Sequence, residues 1–264
     1  MLTAVKNQVR VTLLTTKYAL IREMLNKTTF LMNIVFMILN NACFIVQWII
    51  LYSIKDGIGG YQFYQVLLLW GIAASTFGFS RFFFYKAFSL SEVIYDGKLD
   101  SFLVQPKNVL LSVTTSDVST SAIGDLIYGY IMLFISGFSI LKFFLFTLFT
   151  ISGGFILASV AVILSSLSFW FQKADMIAEV GNSLLTNFAT YPEGVFQGTM
   201  KILFYTIIPI GFVNYLPLQI LSEFQLWPTI LILLIMCFFV TLAFTIFYLG
   251  LKRYSSSNLM ISKI

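Results

Sequence analysis

The sequence predicts an all-α integral membrane protein that folds as a single transmembrane domain over residues 1–264. Of these 264 residues, 59% are hydrophobic and only 10% are charged, whereas soluble domains carry about 25% charged residues. The mean hydropathy is +0.91, and the apolar residues are collected in segments of about 20 residues, the length that crosses a bilayer core. Lipid, rather than water, must therefore cover most of the folded surface.

Composition and missing motifs exclude several classes of function. The chain has no His and two Cys, and Cys43 and Cys237 lie in apolar segments without metal-ligand or disulfide spacing. The sequence lacks both the His-Glu-x-x-His motif and the Gly-x-x-x-x-Gly-Lys-Ser/Thr loop for ATP. Ala122 interrupts the Gly-x-Gly-Asp pattern of intramembrane aspartyl proteases at Asp125. The net charge of +5 fits basic residues beside anionic lipid, so nucleic acid is not an expected partner.

An amphipathic helix is predicted at the N-terminus, over residues 1–27. Apolar residues recur there at helical spacing, and basic residues fill the intervening positions. Such a helix lies in the membrane interface, with its basic side chains toward the lipid headgroups. The apolar positions are Leu2, Val5, Val9, Leu13, Tyr18, Ile21 and Leu25, and the basic ones are Lys6, Arg10, Lys17 and Arg22.

Six membrane-spanning helices are predicted, because a hydrocarbon core about 30 Å thick needs about 20 mainly apolar residues per helix. A further apolar segment, 199–217, contains Pro209 and Pro217. Non-helical backbone at membrane depth is tolerated only where it is buried in protein or lines a cavity. This segment is therefore predicted to be a re-entrant, extracellular element before the last span. The six predicted spans are 29–54, 61–85, 114–138, 142–170, 176–196 and 227–250.

The distribution of Lys and Arg predicts that both termini are cytoplasmic. With the N-terminus inside, Lys55, Lys142 and Lys201 lie outside, and the other 13 of the 16 basic residues lie inside. Basic residues concentrate in cytoplasmic flanks, so this margin determines the orientation. An even number of spans then returns the C-terminus to the same side.

The loop after the second predicted span mixes apolar and charged residues, which is unusual for a simple connection. Asp96-Gly97 marks a turn, Leu99 to Val104 can form a short helix, and Pro106 ends it. Such a helix suits insertion into a cleft on another protein, and the alternative is a helix that rests on lipid. The apolar residues are Ile94, Tyr95, Leu99, Phe102, Leu103 and Val104, and the charged ones are Glu92, Asp96, Lys98 and Asp100.

The third predicted span carries a polar stripe. Asp117, Ser121 and Asp125 are spaced four residues apart, on one helix face with Thr114 and Tyr128. Charged residues within spans are candidates for function, so the stripe is predicted to line a substrate route or a subunit seam. Alternatively, Asp117 lies among the headgroups and Asp125 pairs with a base such as Arg81.

These acids also define an alternative function for the whole chain. Asp117 and Asp125 could be ion or proton sites of a carrier or channel that works without ATP. Asn40, Asn41 and Gln47, in the first span, are expected to form hydrogen bonds between helices rather than to bind substrate.

The loop also carries the residues of a known signature. The run from Ile94 to Pro106 contains Gly97, Leu99, Asp100, Leu103 and Pro106, and it resembles the Gly-x-Leu-Asp-x-x-Leu-x-x-Pro signature of the ABC-2 family permeases. Further features agree in order along nearly the whole chain. They are Phe169-Trp170-Phe171, Tyr191-Pro192, Ile208-Pro209, Tyr215-Leu216-Pro217 and the ending Gly250-Leu251-Lys252-Arg253-Tyr254.

The resemblance implies a six-helix subunit of a bacterial exporter in the cytoplasmic membrane, with the fold of the type V exporters. The N-terminal helix would be the elbow helix, and a cytoplasmic coupling helix over about 91–105 would dock on an ABC ATPase subunit. A second permease, identical or related, would complete the pathway. ATP and Mg²⁺ would bind the ATPase, so this chain needs no cofactor or metal and is not itself an enzyme. The implied coupling residues are Glu92, Ile94, Tyr95, Asp96, Gly97, Leu99, Asp100, Phe102, Leu103 and Pro106.

Overall fold

The computed structural model describes residues 2–55, 57–171, 174–196, 198–206 and 208–255, with side chains from Lys6 onward. These residues form helices joined by short connections, with a single isolated antiparallel bridge between Ile58 and Tyr61. The α-helices are α1 Leu2–Glu23, α2 Lys27–Ile54, α3 Phe63–Phe83, α4 Leu90–Tyr95, α5 Asp100–Leu103, α6 Val109–Thr114, α7 Ser121–Ile135, α8 Ile140–Ser166, α9 Ala174–Ala189, α10 Thr199–Thr206, α11 Leu216–Ser222 and α12 Leu226–Leu251.

Within the described residues, four helices are long and apolar enough to cross a membrane. These are α2, α3, α8 with the 3-10 turn that follows it, and α12. The segment containing α10 and Gly211–Ser222 counts as a fifth if its two parts, bent by 78°, are taken as one broken span. The predicted all-α membrane class is confirmed. Helices α7 and α9, with 15 and 16 residues, are shorter than the spans predicted there.

The helix predicted over 114–138 is interrupted, and α7 begins only at Ser121. The cause is a run of Ser, Thr and Asp side chains that bond locally to the backbone and compete with the helix. Thr115 donates its hydroxyl to the Leu111 carbonyl at 2.7 Å, and the Asp117 carboxylate accepts from the Val118 amide at 3.0 Å. Residues 115–120 therefore form an irregular connection between α6 and α7.

The segment before the last helix is bent, and its second part, Gly211–Ser222, is largely buried in protein. A π-helical turn, Gly211–Tyr215, precedes α11. The Asn214 side chain donates to the Ala189 carbonyl at 2.8 Å, and the Tyr215 hydroxyl donates to the Phe188 carbonyl at 3.1 Å. These bonds satisfy carbonyls at the C-terminal end of α9, which ends at Ala189 rather than at 196 because Tyr191-Pro192 follows.

Small residues bring α2, α3 and α7 into close contact. A methyl group on Gly129 of α7 would lie 2.6 Å from the Gly71 carbonyl oxygen on α3, and one on Gly124 would lie 2.6 Å from the Ile34 carbonyl oxygen on α2. Helices in membranes associate through such close backbone approach. The three helices therefore form one tightly packed unit.

We expect Gly129→Val to destabilise the protein by about 1–3 kcal/mol, because the new side chain has no space between α7 and α3. Thermal unfolding of the purified protein in dodecyl maltoside measures the change. Ile131→Val, at an exposed position of the same helix, is the control and should unfold like the unmodified protein. Equal stability of the Gly129 variant would contradict the close packing.

The N-terminal helix, the α3–α7 connection and the residues after α12 meet at one end of the bundle, which we call the basic end. The Gln8 side chain accepts from the Asn108 amide at 3.0 Å, and Arg22 pairs with Asp117 at 2.5 Å. Tyr254 lies beside Asp100. The bundle's opposite end holds the α2–α3 connection and the turn after α9, where Lys201 pairs with Glu193 at 3.0 Å.

Candidate functional site

The connection between α3 and α6 contains two short helices rather than the single helix predicted over about 91–105. Helices α4 and α5 are separated by Gly97, whose φ of +70° is strained for any other residue. This turn lets both helices fold back onto the bundle. The prediction of a turn at Asp96-Gly97 agrees with the structure, and the continuous helix does not form.

The inner face of this loop is buried in the chain's own core. Leu99 is 0% exposed, and it belongs with Ile94 to a hydrophobic cluster that includes Leu110 and Phe247. Phe102 packs against the same cluster. Leu99 and Ile94, implied as coupling residues, therefore anchor the loop and are not available to a partner.

Three large apolar side chains of the loop, Tyr95, Leu103 and Val104, are exposed, and we call them together the outer patch. Tyr95 is 73% exposed, Leu103 40% and Val104 84%. Glu92, Asp96 and Pro106 of the same loop are exposed as well. Val104 has the largest exposed fraction of the three, although it occupies an unspecified position of the signature.

Charged side chains of the loop interact with each other and with the segment that follows α12. Lys98 donates to the Asp96 carboxylate at 2.7 Å, and this bond raises the pKa of the Lys98 ammonium. Burial raises the pKa of the Tyr254 phenol, and the neighbouring Asp100 carboxylate raises it further. Asp100 thus connects the loop to the segment that follows α12.

A cleft of about 270 Å³, with polar and apolar side chains in its lining, lies between α2, α3, α7 and the end of α9; we call it the inner cleft. Asp125, only 7% exposed, accepts a hydrogen bond from the Asn41 side chain at 2.6 Å. The lining residues are Met37, Asn40, Asn41, Phe44, Gln47, Trp48, Trp70, Ala73, Ala74, Phe77, Arg81, Asp125, Thr186, Asn187, Thr190 and Tyr191.

A second cavity, of about 460 Å³, continues from the inner cleft toward α4; we call it the vestibule. The two cavities share Arg81, Thr186 and Asn187. The vestibule is also lined by Glu92, Asp175, Glu179, Asn182 and Ser183. Together they form one groove that leads from the α3–α6 connection into the bundle.

Sequence reasoning missed the contribution of α9 to this groove. Its polar residues recur at the spacing of one helix face, and this period was available as a signal in the sequence. These residues are Asp175, Glu179, Asn182, Ser183, Thr186 and Asn187, and Thr190 follows them just after the helix.

The residues of the polar stripe predicted from Asp117 to Tyr128 do not share one helix face in the structure. Asp117 lies in the irregular connection before α7, where it pairs with Arg22 at 2.5 Å and with Lys86 at 3.7 Å. Ser121 shares a hydrogen bond of 2.9 Å with Ser119. Tyr128 is buried among α2, α3 and α7, and Asp125 lines the inner cleft. The two acids thus belong to different clusters.

Arg81 interacts electrostatically with Asp125 and also contacts two aromatic rings. Its guanidinium lies 5.9 Å from the centre of the Phe77 ring and 5.4 Å from that of Phe88, at cation–π distance. Arg81 lines both the inner cleft and the vestibule, and Asp125 accepts its side-chain hydrogen bond from Asn41.

The fold defines a multi-pass helical membrane protein with a groove between its helices. The model of the ABC-2 family transporter proteins matches residues 36–258. The match covers more than half of the chain, so the chain belongs to the ABC-2 transporter family. A search among curated proteins finds no match to this sequence.

Proposed function

We propose that the chain is the permease subunit of an ABC exporter in the bacterial cytoplasmic membrane, and that a separate ATPase drives it. The observation that carries the proposal is the outer patch. Three exposed apolar side chains stand on a loop that its own core holds rigidly through Leu99. An exposed apolar patch with a polar surround is typical of a protein-binding surface.

In this proposal the chain crosses the membrane six times. Helices α2, α3, α7, α8, α9 and α12 alternate in direction between the two ends of the bundle, and the bent α10–α11 segment is re-entrant at the extracellular end. Helix α7, about 22 Å long at 1.5 Å per residue, is completed at the cytoplasmic end by the 115–120 connection. The basic end is then cytoplasmic and holds both termini.

The N-terminal helix serves as the elbow helix in this arrangement. Val9, Leu13 and Tyr18 are exposed at the apolar positions predicted from the sequence. Lipid at the inner membrane surface would cover them. The contacts of Arg22 and Gln8 with the α6–α7 region hold the helix against the bundle.

Motion would pass from the ATPase to the groove through α4. This helix packs against both α8 and α9, and α9 forms a wall of the inner cleft and of the vestibule. ATP and Mg²⁺ bind the ATPase, whose closure moves the loop. Two permeases, identical or related, form the pathway, each contributing its groove. Helix α2 is mostly exposed and lies at the edge of the inner cleft, where a second permease would close it.

Affinity purification in mild detergent, followed by mass spectrometry, tests the proposal. We expect the tagged chain to retain an ABC ATPase and a second permease, in equal numbers of permease and ATPase subunits. A purified complex that contains no ATP-hydrolysing partner, with the membrane topology intact, would overturn the exporter function.

A further inference from the structure

We infer that the cargo is a cationic amphiphile, an organic cation with an aromatic or aliphatic body, that binds in the groove formed by the vestibule and the inner cleft. The inference rests on the proposed function, because it names the cargo class of that same groove. The inference is argued from three observations on the described lining residues: the excess of carboxylates, the position of Arg81 and the aromatic walls.

The charge of the groove is acidic. Of the described residues that line it, four are carboxylates and one is a cation; Lys173, near in sequence, lies outside the described residues. A cleft lined mainly by charges of one sign raises the local concentration of oppositely charged ligands, so the four acids favour a cationic cargo over an anionic one. They are Glu92, Asp175 and Glu179 in the vestibule and Asp125 in the inner cleft.

The single cation does not reverse this preference. The Arg81 guanidinium lies 5.9 Å and 5.4 Å from the centres of the Phe77 and Phe88 rings, and its charge also acts on the Asp125 carboxylate. Even if Arg81 offsets Asp125, the three vestibule carboxylates remain without a second cation among the described lining residues. Arg81 stands where the two cavities meet. Asp125 lies in the inner cleft, where it also accepts the hydrogen bond from the neutral Asn41 amide.

The aromatic walls supply a surface for the body of the cargo. Phe44 stacks on Trp70 with centroids 5.2 Å apart, and Trp48 meets Tyr191 edge-on at 6.1 Å. The faces of such rings attract cations and pack against apolar groups. The buried indole N–H of Trp70 has no hydrogen-bond partner among the described residues, so it can also donate to a cargo acceptor.

Two probes of matched size and opposite charge test the inference. Tetraphenylphosphonium and tetraphenylborate are titrated into the purified protein in dodecyl maltoside, and quenching of tryptophan fluorescence reports binding. We expect the dissociation constant of the cation to be at least about tenfold lower than that of the anion. Trp70→Phe should remove much of the signal, because Trp70 lies in the inner cleft.

Two sets of variants locate the binding site. Asp125→Asn should weaken cation binding by about tenfold, while Asp117→Asn, outside the groove, should leave it unchanged. If the Asp125 variant does not fold, Asp175→Asn with Glu179→Gln, at exposed vestibule positions, should weaken it by a similar factor. Equal binding of both probes, preference for the anion, or insensitivity to every groove variant overturns the inference.

The failure of this inference and that of the proposed function are distinguishable. Probe binding needs no ATPase, and capture of the ATPase needs no cargo. A captured ATPase without charge preference leaves the exporter function standing and removes the cationic cargo. Charge-selective binding without any ATP-hydrolysing partner removes the exporter function, on which the assignment of a cargo depends.

Discussion

Val104→Asp is expected to release the ATPase from the permease, with the amount that co-purifies falling by at least about tenfold. Val104 has the most exposed side chain of the outer patch, and in the proposed complex it is buried against the ATPase. A carboxylate placed there must lose its water without gaining a partner, which costs several kcal/mol. Transport in proteoliposomes should fall with the loss of the ATPase.

Ser101→Asp is the matched control, because it adds the same charge to an exposed position of α5 without altering the outer patch. It should retain the ATPase. Both variants should insert and unfold normally, since neither side chain contributes to the core. Full retention of the ATPase by the Val104 variant would mean that the outer patch is not the docking surface and that the loop rests on lipid instead.

Hydropathy was sufficient for the elements that consist of a single long apolar run. The last span, predicted over 227–250, is observed as Leu226–Leu251, and the first, predicted over 29–54, as Lys27–Ile54. It failed at 114–120, because a hydropathy window averages over side chains and does not register that Ser, Thr and Asp bond back to the preceding turn. The prediction that Asp117 lies on a face of the third span is wrong for this reason, because Asp117 precedes α7.

The sequence predicts the candidate site only in part. The loop between α3 and α6 follows from a local signature, whereas the groove depends on which helices pack together. The signature located the loop, but Leu99 and Leu103 have the same side chain, and only the packing beneath α12 places one inside and the other outside. The groove required the partners of α7. Asn41 and Asp125 are separated by 84 positions in the sequence, whereas the polar face of α9 follows from its helical period alone.

Leu99→Ala should separate ATP hydrolysis from transport while the ATPase remains bound. Leu99 fills a core site, and its truncation to Ala costs about 2–5 kcal/mol of packing. The loop would then lose its anchor to α12 and α6, so motion of the outer patch would no longer move α4 and α9. We expect at least about a tenfold fall in cargo transported per ATP hydrolysed, measured with the reconstituted complex.

Leu103→Ala, the same substitution four residues later, provides the opposite pattern and makes the two roles separable. Leu103 is part of the outer patch, so its truncation should reduce capture of the ATPase and leave thermal stability unchanged. Leu99→Ala should reduce thermal stability and leave capture largely intact. If both variants lower capture and neither lowers stability, Leu99 faces the partner rather than the core. Leu99 would then not fix the loop to the core, and α4 could not transmit the motion of the ATPase to the groove. Another element would have to do so.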